Sequence, residues 1–158
     1  MEKLDMERTD HGSTDRGISD QRELLKIVIQ DTRFMLIQTI LGHPQQFPSL
    51  KEIDYANPSK SQSTIRNHLD RLIEHNIVTT EQLPKEERSR DLPYQFYRLT
   101  EEGRTFLERH DLLRSEEAMQ ELNSVTEKTP VIVKYEEAPR PDRGQSDERR
   151  LPGTPVSD

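Results

Sequence analysis

Three pieces in succession decide the fold: Pro48-Ser49-Leu50-Lys51-Glu52-Ile53, the turn Asn57-Pro58-Ser59-Lys60, and Ser61-Gln62-Ser63-Thr64-Ile65-Arg66-Asn67-His68-Leu69-Asp70-Arg71-Leu72-Ile73-Glu74-His75. In the first piece, Ser49 with Glu52 three residues on predicts a capped helix whose Leu50 and Ile53 face inward. Asn and Pro at 57 and 58 predict a turn. In the third piece Ile65, Leu69, Leu72 and Ile73 recur at helical spacing, so one apolar face is expected over about Ser61–His75. Asn76 stands where a left-handed residue closes such a helix, a conformation Asn tolerates. Helix, turn and amphipathic helix make a helix-turn-helix.

Upstream, residues 20–30 carry Leu24, Leu25, Ile27, Val28 and Ile29 among polar residues, with Asp20 and Glu23 as a helix start. A second helix runs from Asp31 or Thr32 to Leu41; it is apolar nearly all round and is expected to be buried. Gly42-His43-Pro44 ends it, with Gly42 as a left-handed cap and Pro44 unable to continue a helix. Downstream, the β-branched run from Ile77 predicts a strand to Leu83 and Tyr94–Leu99 a second, joined by the charged loop Pro84–Pro93. Thr100 caps a further helix with Glu101 and Glu102 in its first turn. A weaker amphipathic pattern, from Leu112 through Leu122, reaches about Val125. The expected core is Leu36, Ile37, Ile40, Leu50, Ile53, Ile65, Leu69, Leu72, Ile77, Phe96, Leu99, Phe106 and Leu107.

Composition sets the limits of that domain. With 30% hydrophobic and 34% charged residues in 158, there are too few apolar side chains to pack the whole chain. The expectation is a winged helix-turn-helix domain, mainly α with a small β-hairpin wing, over 20–126. A disordered tail is expected over 1–19 and a mostly disordered one over 127–158. The Val131-Ile132-Val133 patch interrupts the second tail. No apolar stretch reaches the length of a membrane span, and the charged start does not read as a secretory signal. The chain has no cysteine, so disulfides and thiolate chemistry are excluded. A cytoplasmic setting agrees with this. The net charge is −7, but Asp20–Asp111 holds 13 basic against 15 acidic residues, so the central region is close to neutral. Arg exceeds Lys and acids exceed both, a balance like that of proteins from salt-loving cells, and equally that of an ordinary acidic protein.

The outward face of the Ser61–His75 helix is where recognition is expected. Opposite Ile65 lie Ser63, Asn67 and Arg71, with Thr64 and Arg66 at the flanks; hydroxyl, amide and guanidinium groups read base edges and grip phosphates. Asp70 and Glu74 sit toward the far end. Ser59 and Lys60 could hold a phosphate at the helix N-terminus. Lys85, Arg88 and Arg90 give the hairpin tip a basic character that Glu86, Glu87 and Asp91 dilute. A plainly solvated helix face and a mixed-charge loop would have the same composition.

Leu50-Lys51-Glu52-Ile53, Ser63 through Leu72 and Asn76-Ile77-Val78 together resemble the helix-turn-helix of MarR/ArsR-type winged-helix regulators. Tyr97-Arg98-Leu99-Thr100-Glu101-Glu102-Gly103 resembles the end of their wing. Ile40-Leu41-Gly42-His43-Pro44 with Pro48-Ser49-Leu50 resembles regulators of halophilic archaea. The resemblance covers about Asp31 to Phe106. It implies a homodimer on a near-palindromic stretch of double-stranded DNA, contacted by Ser61, Gln62, Ser63, Thr64, Arg66, Asn67, Arg88 and Arg90. Asn76 replaces a frequent Gly, and the basic excess of many such regulators is missing.

Other classes are weakly supported. His11, His43, His68, His75 and His110 form no i, i+4 pair, so no metal is expected. No phosphate loop or nucleophile–base constellation is legible, so neither an enzyme nor a cofactor is expected. A protein-interaction adaptor is the main rival, since fold does not fix function. An RNA-binding winged helix would be expected to show an exposed aromatic pair. An effector ligand cannot be read from the chain. The apolar faces of Leu24–Ile29 and Leu112–Leu122 are expected to pair with a second chain.

Overall fold

The computed structural model describes residues 20–113 and 116–142. Residues 20–29 form α1. It is followed by α2 (Asp31–Gly42), α3 (Leu50–Ala56), α4 (Gln62–Glu74), β1 (Val78–Gln82), β2 (Gln95–Leu99), α5 (Glu101–Arg109), α6 (Glu116–Val125) and α7 (Pro130–Glu136). The two strands pair antiparallel, Val78 opposite Leu99 and Gln82 opposite Gln95. A short 3-10 turn, Lys85–Glu87, sits in the loop between them. The architecture is the expected one, mainly helical with a two-stranded wing. No helix among the described residues is long and apolar enough to cross a membrane.

Caps fix the helix-turn-helix locally. Ser49 accepts from the Glu52 amide while Glu52 takes the Ser49 amide, closing the predicted capping box. The Ser61 hydroxyl accepts from the Thr64 amide at the start of α4. At the other end Asn76 is left-handed (φ 61°). Its amide donates to Ile73 O and that of Ile77 to Leu72 O, which satisfies the last carbonyls of α4. Thr100 caps α5 through the Gly103 amide and also donates to Asn76 O. Gly103 lies so close to the chain entering β1 that a Cβ there would stand 2.4 Å from Ile77 O.

Ile65, Leu69 and Leu72 of α4 are fully buried with Leu36, Ile37 and Ile40 of α2, Ile53 of α3, Ile77, and Phe106 and Leu107 of α5. This is the expected core except at Leu50 and Leu99, which are only partly covered. Phe96 belongs to a second cluster with Phe47 and Leu83 under the wing, neither of which the sequence pattern marks as core. Both faces of the hairpin are engaged, and Arg98 and Glu81 form a buried pair across it (2.6 Å).

Four expectations change. First, α2 is not buried all round: Met35 is half exposed. Second, Gly42 is the last residue of α2 and not a left-handed cap; His43 takes the cap position with extended backbone and Gln46 is the left-handed residue (φ 55°). The small Gly42 instead admits α6, since a Cβ there would lie 2.9 Å from Met119 O. Third, Ile27 and Val28 of α1 are buried in this chain's own core, so that face is not left for a partner. Fourth, the first part of the expected C-terminal tail is folded. Thr129 caps α7 with Pro130 at its first turn, Ile132 and Ala138 are buried, and Arg140 reaches inside. The remainder of that tail, 143–158, and the expected tail at 1–19 lie outside the described residues.

Candidate nucleic-acid interface

Because one side of α4 is locked into the core, the other side is set by geometry. Ser63, Arg66 and Asn67 are all exposed, as are Ser59, Lys60, Ser61 and Gln62 just before and at the helix start, and Thr64 is half-buried. The structure therefore brings together the residues singled out on this helix. Some of the hydroxyls already have partners. Ser61 Oγ donates to Thr64 Oγ1 (2.9 Å) and lies 3.3 Å from Ser63 Oγ, so these three form a small network at the N-terminus. Toward the far end Arg71 pairs with Glu74 (3.2 Å), and Asp70 is exposed. Among the described residues, Lys60 and Arg66 have no carboxylate partner, so the N-terminal half of the face keeps its positive charge.

The wing tip is less uniform than its composition suggests. Lys85 and Arg90 are exposed. Arg88 turns back onto the hairpin: Nε donates to Leu83 O (2.9 Å), Nη2 donates to Gln82 Oε1 (3.0 Å), and the guanidinium stacks 4.1 Å above the Tyr94 ring. It shapes the loop in this conformation, leaving Lys85 and Arg90 as the outward cations.

Sequence reasoning missed Arg33. This α2 side chain lies beside α4, its Nη1 donating to His68 Nδ1 (3.1 Å) and its Nε to Ile27 O (2.6 Å). An arginine can only donate, so the Nδ1 of His68 accepts and the imidazole in this arrangement is neutral with its proton on Nε2. Burial, then the nearby charges of Arg33 and Lys60, hold the His68 pKa below the ordinary value. Burial and the charge of Arg71 likewise lower that of Arg33. No sequence period links positions 33 and 68; only the packing of α2 on α4 does.

Behind the motif lies a buried polar cluster. His43 Nδ1 accepts the amides of Gln45 (3.1 Å) and Phe47 (3.3 Å), which leaves Nε2 to donate to Glu52 Oε1 (2.7 Å). Glu52 Oε2 accepts from Ser49 Oγ and from Arg140 (2.7 Å). Arg140 also donates to Phe47 O and to the carbonyls of Tyr135, Glu136 and Ala138, and stacks on Phe96 (4.4 Å). Burial alone would raise the Glu52 pKa. The contacts from His43, Arg140 and Ser49 outweigh it and hold the carboxyl below its usual range. His43, Glu52 and Glu136 offer ligand atoms within 4.8 Å of one another. The chemistry is nonetheless that of an internal ion pair, because Arg140 supplies the cation and Glu136 is paired with Lys128 (2.8 Å).

A capped helix-turn-helix followed by a paired hairpin and a covering helix defines the winged helix-turn-helix class. No family model matches the chain, and no curated protein matches it. Among solved structures it is similar to a protein with a GntR superfamily winged-helix-turn-helix domain from Halomicrobium mukohataei. The two are 27% identical with a TM-score of 0.74, over 83% of this chain and 92% of that one. That neighbour supports the winged-helix class and is not described as MarR/ArsR-type.

Proposed function

We propose that this chain binds double-stranded DNA as a transcriptional regulator, reading bases with the N-terminal half of α4 and gripping the backbone with the wing. The observation that carries this reading is the outward face of α4. Ser63, Arg66 and Asn67 are exposed on a helix held by Ile65, Leu69 and Leu72, and the acidic residues of the face lie toward its other end. A helix presented in this way fits a major groove, where amide and guanidinium groups distinguish base pairs. The reading rests on the winged helix-turn-helix itself and on neither the MarR/ArsR nor the GntR subtype.

Arg66→Ala and Asn67→Ala are each expected to weaken binding to a preferred site by about 1–3 kcal/mol while sparing non-specific binding. The preferred site comes from selecting bound duplexes out of a random pool, at low and at multimolar salt. An enriched motif whose affinity falls in both variants supports the reading. No enrichment in either salt would sink it and favour the adaptor, the reading that a nearly neutral domain also allows.

A further inference from the structure

We infer that Arg33 extends the DNA-facing surface of α4 onto α2, joining Lys60 and Arg71 in a phosphodiester-binding site on the flank of α4. This inference rests on the DNA reading above. It adds a contact by an element outside both the helix-turn-helix and the wing.

On α4 the positions His68, Arg71 and, one turn earlier, Thr64 follow one another down the flank that lies against α2, with Lys60 at its N-terminal end. Arg33 arrives on this flank from α2 and is held in place by two bonds, Nε to Ile27 O and Nη1 to His68 Nδ1. Its Nη2 has no partner among the described residues, and no carboxylate of those residues pairs with the guanidinium. His68 and Arg71 stand three residues apart on α4, so the guanidinium held at His68 lies on the flank that carries Arg71. After burial, the charge of Arg71 lowers the pKa of Arg33, and those of Arg33 and Lys60 lower that of His68. Of these cations only Arg71 has a described carboxylate partner, the exposed Glu74. A buried basic residue such as Arg140 or Arg98 has its counter-charge built in. Here the fold gathers cations and, among the described residues, supplies only Glu74 as a counter-charge, so the group that completes the site is an anion from outside. The flank adjoins Ser63 and Asn67. A backbone phosphate of a duplex whose groove accepts α4 is the anion that meets it, and neutralising it releases counterions.

The test uses the full chain and labelled duplexes, both the selected site and an unrelated one, titrated at several salt concentrations. Arg33→Ala is expected to lower affinity for both duplexes by the same factor, about tenfold near 0.1 M salt, and to reduce the slope of log K against log salt by about one. Arg33→Lys is expected to keep the slope. Arg33 also ties α2 to α1, so Arg71→Ala, a change at an exposed position outside the core, serves as the second variant and is expected to lower both affinities and the slope. A wild-type slope in Arg33→Ala would overturn the inference, whatever Arg71→Ala does, while leaving the DNA reading intact. A wild-type chain that binds no duplex at any salt defeats the DNA reading, and this inference with it.

Discussion

Single side chains divide here into those that hold the reading head and those left to work. Glu52 belongs to the first kind. Its carboxylate takes bonds from His43, Ser49 and Arg140 in a site that water hardly reaches, and removing one partner strands a buried charge. Arg140→Ala is expected to cost about 3–5 kcal/mol in urea unfolding. A loss under about 1 kcal/mol would mean that Arg140 contributes no more than a surface pair. Because the native Glu52 pKa is depressed, its contribution is complete above the ordinary value of ~4.3 and is lost as pH falls through the native one. His68 works in the opposite range. Its native pKa is depressed by burial and by Arg33 of α2 and Lys60 of the turn, so the unfolded chain takes up the proton first. Stability is then expected to decline as pH drops below about 6.5 and to level off under the native value. In urea melts across that range, His68→Gln should show a shallower decline than wild type; equal declines would dissociate His68 from the effect. The capping box at Ser49 and Glu52 was legible because its partners are three residues apart. Arg140 was not, because it lies 88 residues away from Glu52 and no local pattern encodes such a distance.

Among the elements, legibility followed the strength of the local signal. α4 and the two strands fall within a residue or two of where periodicity and caps place them, and α3 and α5 start at their expected caps, α3 running on three residues past Ile53 to Ala56. α7 was read as tail because seven residues give too short a period and its surroundings are rich in Pro and charge. Its helicity comes from the Thr129 cap and from Ile132 and Ala138 packing inward. Gly42 is the instructive error. Gly and Pro marked the helix end and the turn after it correctly, but the glycine is no left-handed cap; it serves a helix crossing. Contacts from Gln46 to Glu116 and from Gln120 to Leu41 O show that α6 runs back along α2, and Met119 rides over Gly42. A Cβ at 42 would collide with backbone, which cannot swing aside as a side chain can. Gly42→Ala would ordinarily stabilise a helix by up to about 1 kcal/mol. Here it is expected to destabilise by about 1–3 kcal/mol and to speed amide exchange in Glu116–Val125 selectively. Unchanged exchange in α6 would show that the crossing relaxes without strain.

For the whole molecule, the question is which apolar surface the fold leaves uncovered. α1 offers little, since Ile27 and Val28 complete the core and of its apolar residues Ile29 alone is exposed, at 49%. Among the large hydrophobics left outside, the three most exposed are Val125 at 72% and Leu122 at 56% on α6 and Met35 at 51% on α2; Ile29, Val131, Tyr94 and Tyr55 are exposed elsewhere. The antiparallel course of α6 carries Leu122 and Val125 toward the α2 end that bears Met35. Single exposed apolar residues are ordinary, but three at corresponding ends of two packed antiparallel helices are the most promising candidates for an interface patch. A two-fold copy would place like against like, and two copies of α4 on one duplex would then read a near-palindrome. The proposed homodimer is therefore assigned to α6 and α2, with α1 inside. Sedimentation at micromolar concentration is expected to give a dimer for wild type. The double variant Leu122→Asp with Val125→Asp is expected to give a folded monomer, because both positions are solvent-facing in a single chain. That monomer should keep its circular dichroism and bind half-sites more weakly than the dimer binds a full site. A wild-type monomer would remove the dimer from the reading while leaving the single-domain contact by α4 standing. A dimer that survives both aspartates would move the interface elsewhere on the surface.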